Sequence, residues 1–97
     1  MIKYSFIVPV YNEKQNIFPT VHEIFKFHKI PNQFEILFID DNSPDGTADE
    51  VNKAHLIYSN VKLIQHGNKE GIGAALAFGC RFARYDHIVF IDADLSQ

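Results

Sequence analysis

Four short apolar runs alternate with segments of helical period, and that alternation leaves the chain few folds to choose from. Tyr4-Ser5-Phe6-Ile7-Val8-Pro9-Val10, Phe34-Glu35-Ile36-Leu37-Phe38-Ile39, Val61-Lys62-Leu63-Ile64-Gln65 and Ile88-Val89-Phe90-Ile91 are rich in β-branched and aromatic residues and have the length of strands. Pro9 has no N–H for a ladder, so it is expected to mark the C-terminal end of the first strand. Between the first two runs, Ile17, Val21, Ile24, Phe25 and His28 recur at helical spacing. Asn16 is the expected N-cap, and Pro19 falls in the first turn, where backbone donors are unpaired in any case. Ser43-Pro44-Asp45-Gly46 reads as a type I turn, and Thr47-Ala48-Asp49-Glu50 matches a capping box, predicting a second helix from Thr47 to about Tyr58. Gly73, Ala74, Ala75, Ala77 and Gly79 keep the third helix thin enough to lie close on a sheet, with Ile72, Leu76, Cys80 and Ala83 as its expected apolar stripe.

The resulting order, β-α-β-α-β-α-β, predicts an α/β, doubly wound, mainly parallel sheet with right-handed crossovers. The expected strand order is 3-2-1-4, with the reversal between strands one and four. All strand C-termini then share one rim, and ligands of such sheets bind where the order reverses. Ile88-Val89-Phe90-Ile91 reads as a strand buried on both faces. Its outer edge has no neighbour in the chain and only the third helix lies on the second face, so self-association through the strand-four edge is expected.

The 97 residues make one small domain or part of a larger one, read as a single unit over 1–97. A hydrophobic content of 46% supports a packed core, and the net charge of −3 supplies no basic field for a nucleic-acid backbone. Cys80 is the single cysteine, which permits no internal disulfide and fits a reducing cytoplasm. No run approaches the ~18 apolar residues of a membrane span, and the expected location is cytoplasmic, at most peripheral to a membrane's cytoplasmic face. The five histidines are scattered without cysteine partners, which argues against zinc.

The predicted rim is acidic. Glu13 follows the first strand, Asp40 and Asp41 the second, and Asp92 and Asp94 the fourth. Strand periodicity points positions 92 and 94 to the same side, so the pair can converge on one divalent cation. Carboxylates gathered on one edge repel one another and repel phosphate unless a cation sits among them. Mg²⁺ or Mn²⁺ meets both demands, because it takes oxygen ligands from carboxylates and a diphosphate together. Glycine-rich phosphate loops of the Gly-x-x-x-x-Gly-Lys-[Ser/Thr] or Gly-x-Gly-x-x-Gly kind are absent.

Ile7-Val8-Pro9-Val10-Tyr11-Asn12-Glu13, Asp40-Asp41-Asn42-Ser43-Pro44-Asp45-Gly46-Thr47, Lys69-Glu70-Gly71-Ile72-Gly73-Ala74-Ala75 and Asp92-Ala93-Asp94-Leu95-Ser96 follow one another in the order found in a known family. The chain resembles the family 2 glycosyltransferases of the GT-A fold, and within them the dolichol-phosphate mannose synthases and related polyprenyl-phosphate glycosyltransferases. The resemblance implies a Rossmann-like, nucleotide-sugar-binding half of a GT-A domain. Pro9, Tyr11 and Glu13 match the segment that holds base and ribose, Asp40 matches the acidic residue after strand two that faces the nucleoside, and Asp41 matches the second acid of that nucleotide-binding pair. Lys69 matches the basic loop near the phosphates, while His66 stands near where many relatives carry arginine. Asp92 and Asp94 match the metal-binding pair, with Asp92 also turned toward ribose and Ser96 as a third ligand position.

The implied reaction moves a sugar, mannose or glucose, from a GDP- or UDP-sugar to a polyprenyl (dolichyl) phosphate with inversion. Such an acceptor is already anionic and needs no strong general base, whereas a sugar hydroxyl would require a carboxylate beyond residue 97. Two alternatives belong to other classes. One is a nucleotide-binding fragment without catalysis. The other is a phospho-receiver-like signalling domain, whose acidic pair would follow the first strand rather than the second.

Overall fold

The computed structural model describes residues 2–67 and 72–93, with the Ile72 side chain left out. The strands are β1 (Tyr4–Val10), β2 (Phe34–Asp40), β3 (Val61–Gln65) and β4 (His87–Phe90). The helices are α1 (Ile17–Phe27), α2 (Thr47–Ile57) and α3 (Ile72–Cys80). All strand pairs are parallel and the sheet order is β3-β2-β1-β4, as the alternation predicts. Right-handed crossovers explain which helix covers which face. The β1-to-β2 and β2-to-β3 connections run one way along the sheet, so α1 and α2 share a face; the β3-to-β4 connection runs back, and α3 covers the other. Strand parity follows suit. Phe6, Val8, Phe34, Ile36 and Phe38 pack with Ile17, Val21, Val51 and Ala54, while Ile7, Leu37 and Ile39 pack with Ala75.

β2 is buried at every position because it lies between two strands and two helix layers. One of those positions is Glu35, which is 3% exposed. Its carboxylate accepts hydrogen bonds from the Ser5 hydroxyl (2.7 Å), the Arg84 backbone N–H (2.6 Å) and the Lys62 ammonium (3.2 Å). The Ser5 hydroxyl in turn accepts from the Tyr85 N–H at 3.1 Å. The buried charge is thereby paired, and it pins the turn leading into β4 to β1 and β2.

Pro9 lies inside β1 rather than at its end, and the register shows why it is tolerated. Val10 C=O accepts from the Asp41 N–H on the β2 side, whereas Ile7 C=O accepts from the Ile91 N–H on the β4 side. By alternation, the missing N–H of Pro9 faces β4, where pairing has already ended at Ile7 and Phe90.

Four local expectations need correction. Asn16 precedes α1 without capping it, since the turn Lys14–Asn16 is already a 3₁₀ helix and Asn16 itself has helical φ and ψ. The capping box does not form either. Gly46, at φ 88°, precedes α2, and Asp45 Oδ1 accepts from the Thr47 N–H at 3.0 Å, leaving the Thr47 hydroxyl for other partners. In α3 the residues against the sheet are Ala75 and Gly79, with Leu76 and Cys80 only half-buried. Close approach selects this line, because a Cβ at Gly79 would stand 2.8 Å from Ile7 Cγ2 and 2.9 Å from Ile39 Cδ1. Finally, β4 is not buried on both faces. Val89 and Ile91 pack on the α1/α2 side. Ile88 and Phe90 are 37% and 54% exposed on the other, because α3 sits over β1 and β2 and does not reach the edge strand.

Candidate functional site

A cleft of about 530 Å³ opens at the C-terminal rim of the sheet. The ends of β1 (Pro9, Val10, Tyr11), β2 (Ile39, Asp41) and β4 (Phe90, Ile91, Asp92) form it, with Glu13 beyond β1 and Ala75 and Leu76 of α3 as one wall. It lies on the α3 side of the sheet and straddles β1 and β4, where the strand order reverses. Its floor is apolar, and its carboxylates are Glu13, Asp41 and Asp92.

The loop carrying Tyr11 and Glu13 is built by the segment following β2. Three successive backbone N–H groups reach across to it: Asn12 donates to the Ser43 hydroxyl at 2.9 Å, Glu13 to the Thr47 hydroxyl at 3.1 Å, and Lys14 to Asp45 Oδ2 at 3.4 Å. Asn12 and Asn42 both have positive φ, 53° and 63°, a conformation asparagine tolerates better than most side chains. The Thr47 hydroxyl also donates to Asp45 Oδ1. That bond from Thr47, aided by backbone donors from Lys14 and Thr47, holds the Asp45 carboxyl below its ordinary value of 3.8.

Of the residues expected at the site, Pro9, Tyr11, Glu13, Asp41 and Asp92 line one cleft. Asp40 does not line it. It is fully buried, and strand parity turns it toward the α1/α2 side, where its carboxylate accepts from the Ser43 N–H (3.3 Å) and the Ser43 hydroxyl (2.5 Å). Asp40 thus shapes the turn that holds the Glu13 loop. Lys69, Asp94 and Ser96 lie outside the described residues. Among the described residues no three of His, Cys, Asp and Glu are grouped as metal ligands would be, and no helix is long and apolar enough to cross a membrane. One residue at the rim was not singled out as a site residue from sequence. His66 directly follows β3, its Nδ1 stands 3.6 Å from Asp41 Oδ1, and its ring lies on Phe78 at 4.5 Å between centroids. The signal was positional, since in a 3-2-1-4 sheet the residue after strand three must neighbour the residue after strand two.

Comparison with known proteins matches the chain almost from end to end. The family model described as "Glycosyl transferase family 2" matches residues 5–96. The dolichol-phosphate mannosyltransferase of Saccharomyces cerevisiae is 40% identical over 99% of this chain and 37% of its own length. Among solved structures, the mannosyltransferase PcManGT of Pyrobaculum calidifontis, in complex with GDP-Man and Mn²⁺, superposes with a TM-score of 0.85 at 26% identity, over 95% of this chain and 27% of that one. TarS of S. aureus in complex with UDP-GlcNAc gives 0.84 at 30% identity, over 96% and 27%. This chain therefore spans roughly a third of the length of the proteins it matches. The sheet order, the rim motifs and a family match running almost from end to end agree: the chain belongs to glycosyl transferase family 2.

Proposed function

We propose that this stretch is the nucleotide-sugar-binding half of a GT-A domain. In the whole protein it serves transfer of a sugar, mannose or glucose, from a GDP- or UDP-sugar to a polyprenyl phosphate, with inversion at the anomeric carbon, at the cytoplasmic face of a membrane. The observation that carries the reading is the cleft at the reversal of strand order, where Pro9, Tyr11, Glu13, Asp41 and Asp92 meet in a chain of this family. Tyr11 and Pro9 supply flat apolar surface for a base, and Glu13 and Asp41 supply acceptors for ribose hydroxyls.

The donor set suits a hard divalent ion, Mg²⁺ or Mn²⁺. Asp92 is the cleft carboxylate on the β4 side, Asp94 and Ser96 follow it in sequence, and an ion of this kind takes its remaining ligands from phosphate oxygens and water. When bound, it would neutralise charge developing on the departing nucleotide diphosphate. Asp41 and Glu13 hold the nucleoside end fixed while that charge grows, and the apolar floor excludes water from it. A polyprenyl phosphate is already a nucleophilic anion, so the chain's own residues need supply no general base.

Calorimetry of the chain with GDP and with UDP, with and without Mn²⁺, tests the reading. Asp94→Asn keeps the side-chain shape and removes one negative charge. It should weaken metal-dependent binding by about 1.5–3 kcal/mol, roughly 10- to 150-fold. Equal affinity in the presence of chelator, or an unaffected variant, would show that the Asp92/Asp94 pair holds no metal.

A further inference from the structure

We infer that His66 is a positioning residue for nucleotide binding, donating from Nδ1 to Asp41 so that the carboxylate is fixed toward the nucleoside. The inference rests on the nucleotide reading above. His66 is held at three points. Its backbone N–H donates to Asp40 C=O at 2.9 Å, its ring lies on Phe78 of α3, and its side chain is only 7% exposed. Its Nδ1 is buried and has no hydrogen-bond partner among the described residues, yet it points at Asp41 Oδ1 from 3.6 Å, a few tenths of an ångström too far for a hydrogen bond.

A carboxylate oxygen and a bare imidazole nitrogen both only accept, so the inferred contact has its hydrogen on Nδ1. Nδ1–H is a donor without a mate beside an acceptor that lines the cleft. Drawing the two together satisfies the buried donor and holds the Asp41 carboxylate at the cleft. Asp41 is then braced by the residue that follows β3, itself packed on Phe78 of α3.

Two substitutions separate positioning from packing. His66→Asn places an amide donor near the Nδ1 position but loses the ring, while His66→Phe keeps the ring on Phe78 and loses the donor. With Mn²⁺ present, GDP or UDP affinity should stay within about threefold of wild type in His66→Asn and fall about tenfold in His66→Phe, the size of one hydrogen bond to a charged group. In an Asp41→Asn background, His66→Phe should have no further effect. Thermal melts confirm that each variant is folded. The reverse ranking, with His66→Phe like wild type and His66→Asn weak, would make the residue packing alone and overturn the inference. A ligand-free arm stands apart from the nucleotide reading: imidazole ¹⁵N spectra of the wild-type chain should place a proton on Nδ1. A bare Nδ1 overturns the inference whatever binds. A protonated Nδ1 in a chain that binds neither nucleotide overturns the nucleotide reading and the positioning role with it.

Discussion

A methyl group at position 79 would have to displace the side chains of Ile7 and Ile39, both fully buried, from contacts of 2.8 to 3.0 Å. Gly79→Ala should therefore cost about 1–3 kcal/mol despite alanine's better helix propensity, read as a lower urea midpoint with an unchanged slope. A gain in stability would mean that α3 rides higher above the sheet than described. Asp45 is the second residue whose neighbours decide its behaviour. A carboxyl held below its unfolded value contributes stability that is complete above that value and is lost as pH falls through the folded one. The clasp on the Glu13 loop should thus loosen in acid below about pH 4, and Asp45→Asn should lose the same stability at neutral pH and flatten the acid limb. Urea midpoints at neutral pH and at pH 3.5 for both proteins check this, and parallel acid limbs would contradict it. Neither effect was fully legible in sequence. The small residues of α3 foretold a thin helix, but which of them meets the sheet depends on a rotation that a stripe read at i, i+4 placed one residue off. Asp45 read as a turn residue because its partners, Lys14 and Thr47, come together only when two loops meet.

The strands fall within a residue of where their apolar runs predict, but burial follows their place in the sheet. β1 and β2 are central and buried at nearly every position, because a strand covered on both faces must be apolar on both, whereas β3 and β4 are edge strands. Ile88-Val89-Phe90-Ile91 carries the same pattern but is covered only on the Val89 and Ile91 side. The pattern reports what the strand is suited to, and the described chain leaves Ile88 and Phe90 open. An open edge flanked by exposed apolar side chains invites pairing with another copy, so sedimentation should show concentration-dependent association that Phe90→Lys abolishes. A monomer at high concentration would contradict this. The opposite end of the sheet depends on Glu35. Glu35→Ala leaves the Arg84 N–H and the Ser5 hydroxyl without their buried acceptor, and should cost about 2–3 kcal/mol in a urea titration, with Glu35→Gln intermediate. Equal stability of all three proteins would mean that the turn into β4 holds without it. The apolar run around Glu35 marked the strand, but nothing in it showed that a carboxylate could be kept inside.

At the scale of the whole molecule, topology was the most legible property. Alternation of strands and helices, with the fixed hand of the crossovers, predicts a parallel sheet with every strand C-terminus on one rim, and the expected order 3-2-1-4 is the one observed. Which rim carboxylates enter the cleft was less legible, because it turns on parity at the last residue of a strand. Asp40, still within β2, is turned under the sheet, while Asp41, one residue on, lines the cleft. The claim that matters most is that this rim holds a nucleotide diphosphate through a divalent ion, and Mn²⁺ reports its own position by broadening nearby resonances. In amide spectra of the ¹⁵N-labelled chain, GDP or UDP with Mn²⁺ should broaden residues around Asp92 most, then Tyr11 and Asp41, while Asn32 and Tyr85 at the opposite edge stay sharp. Broadening that needs no nucleotide and falls on scattered surface carboxylates such as Glu23 and Asp86 would contradict the account.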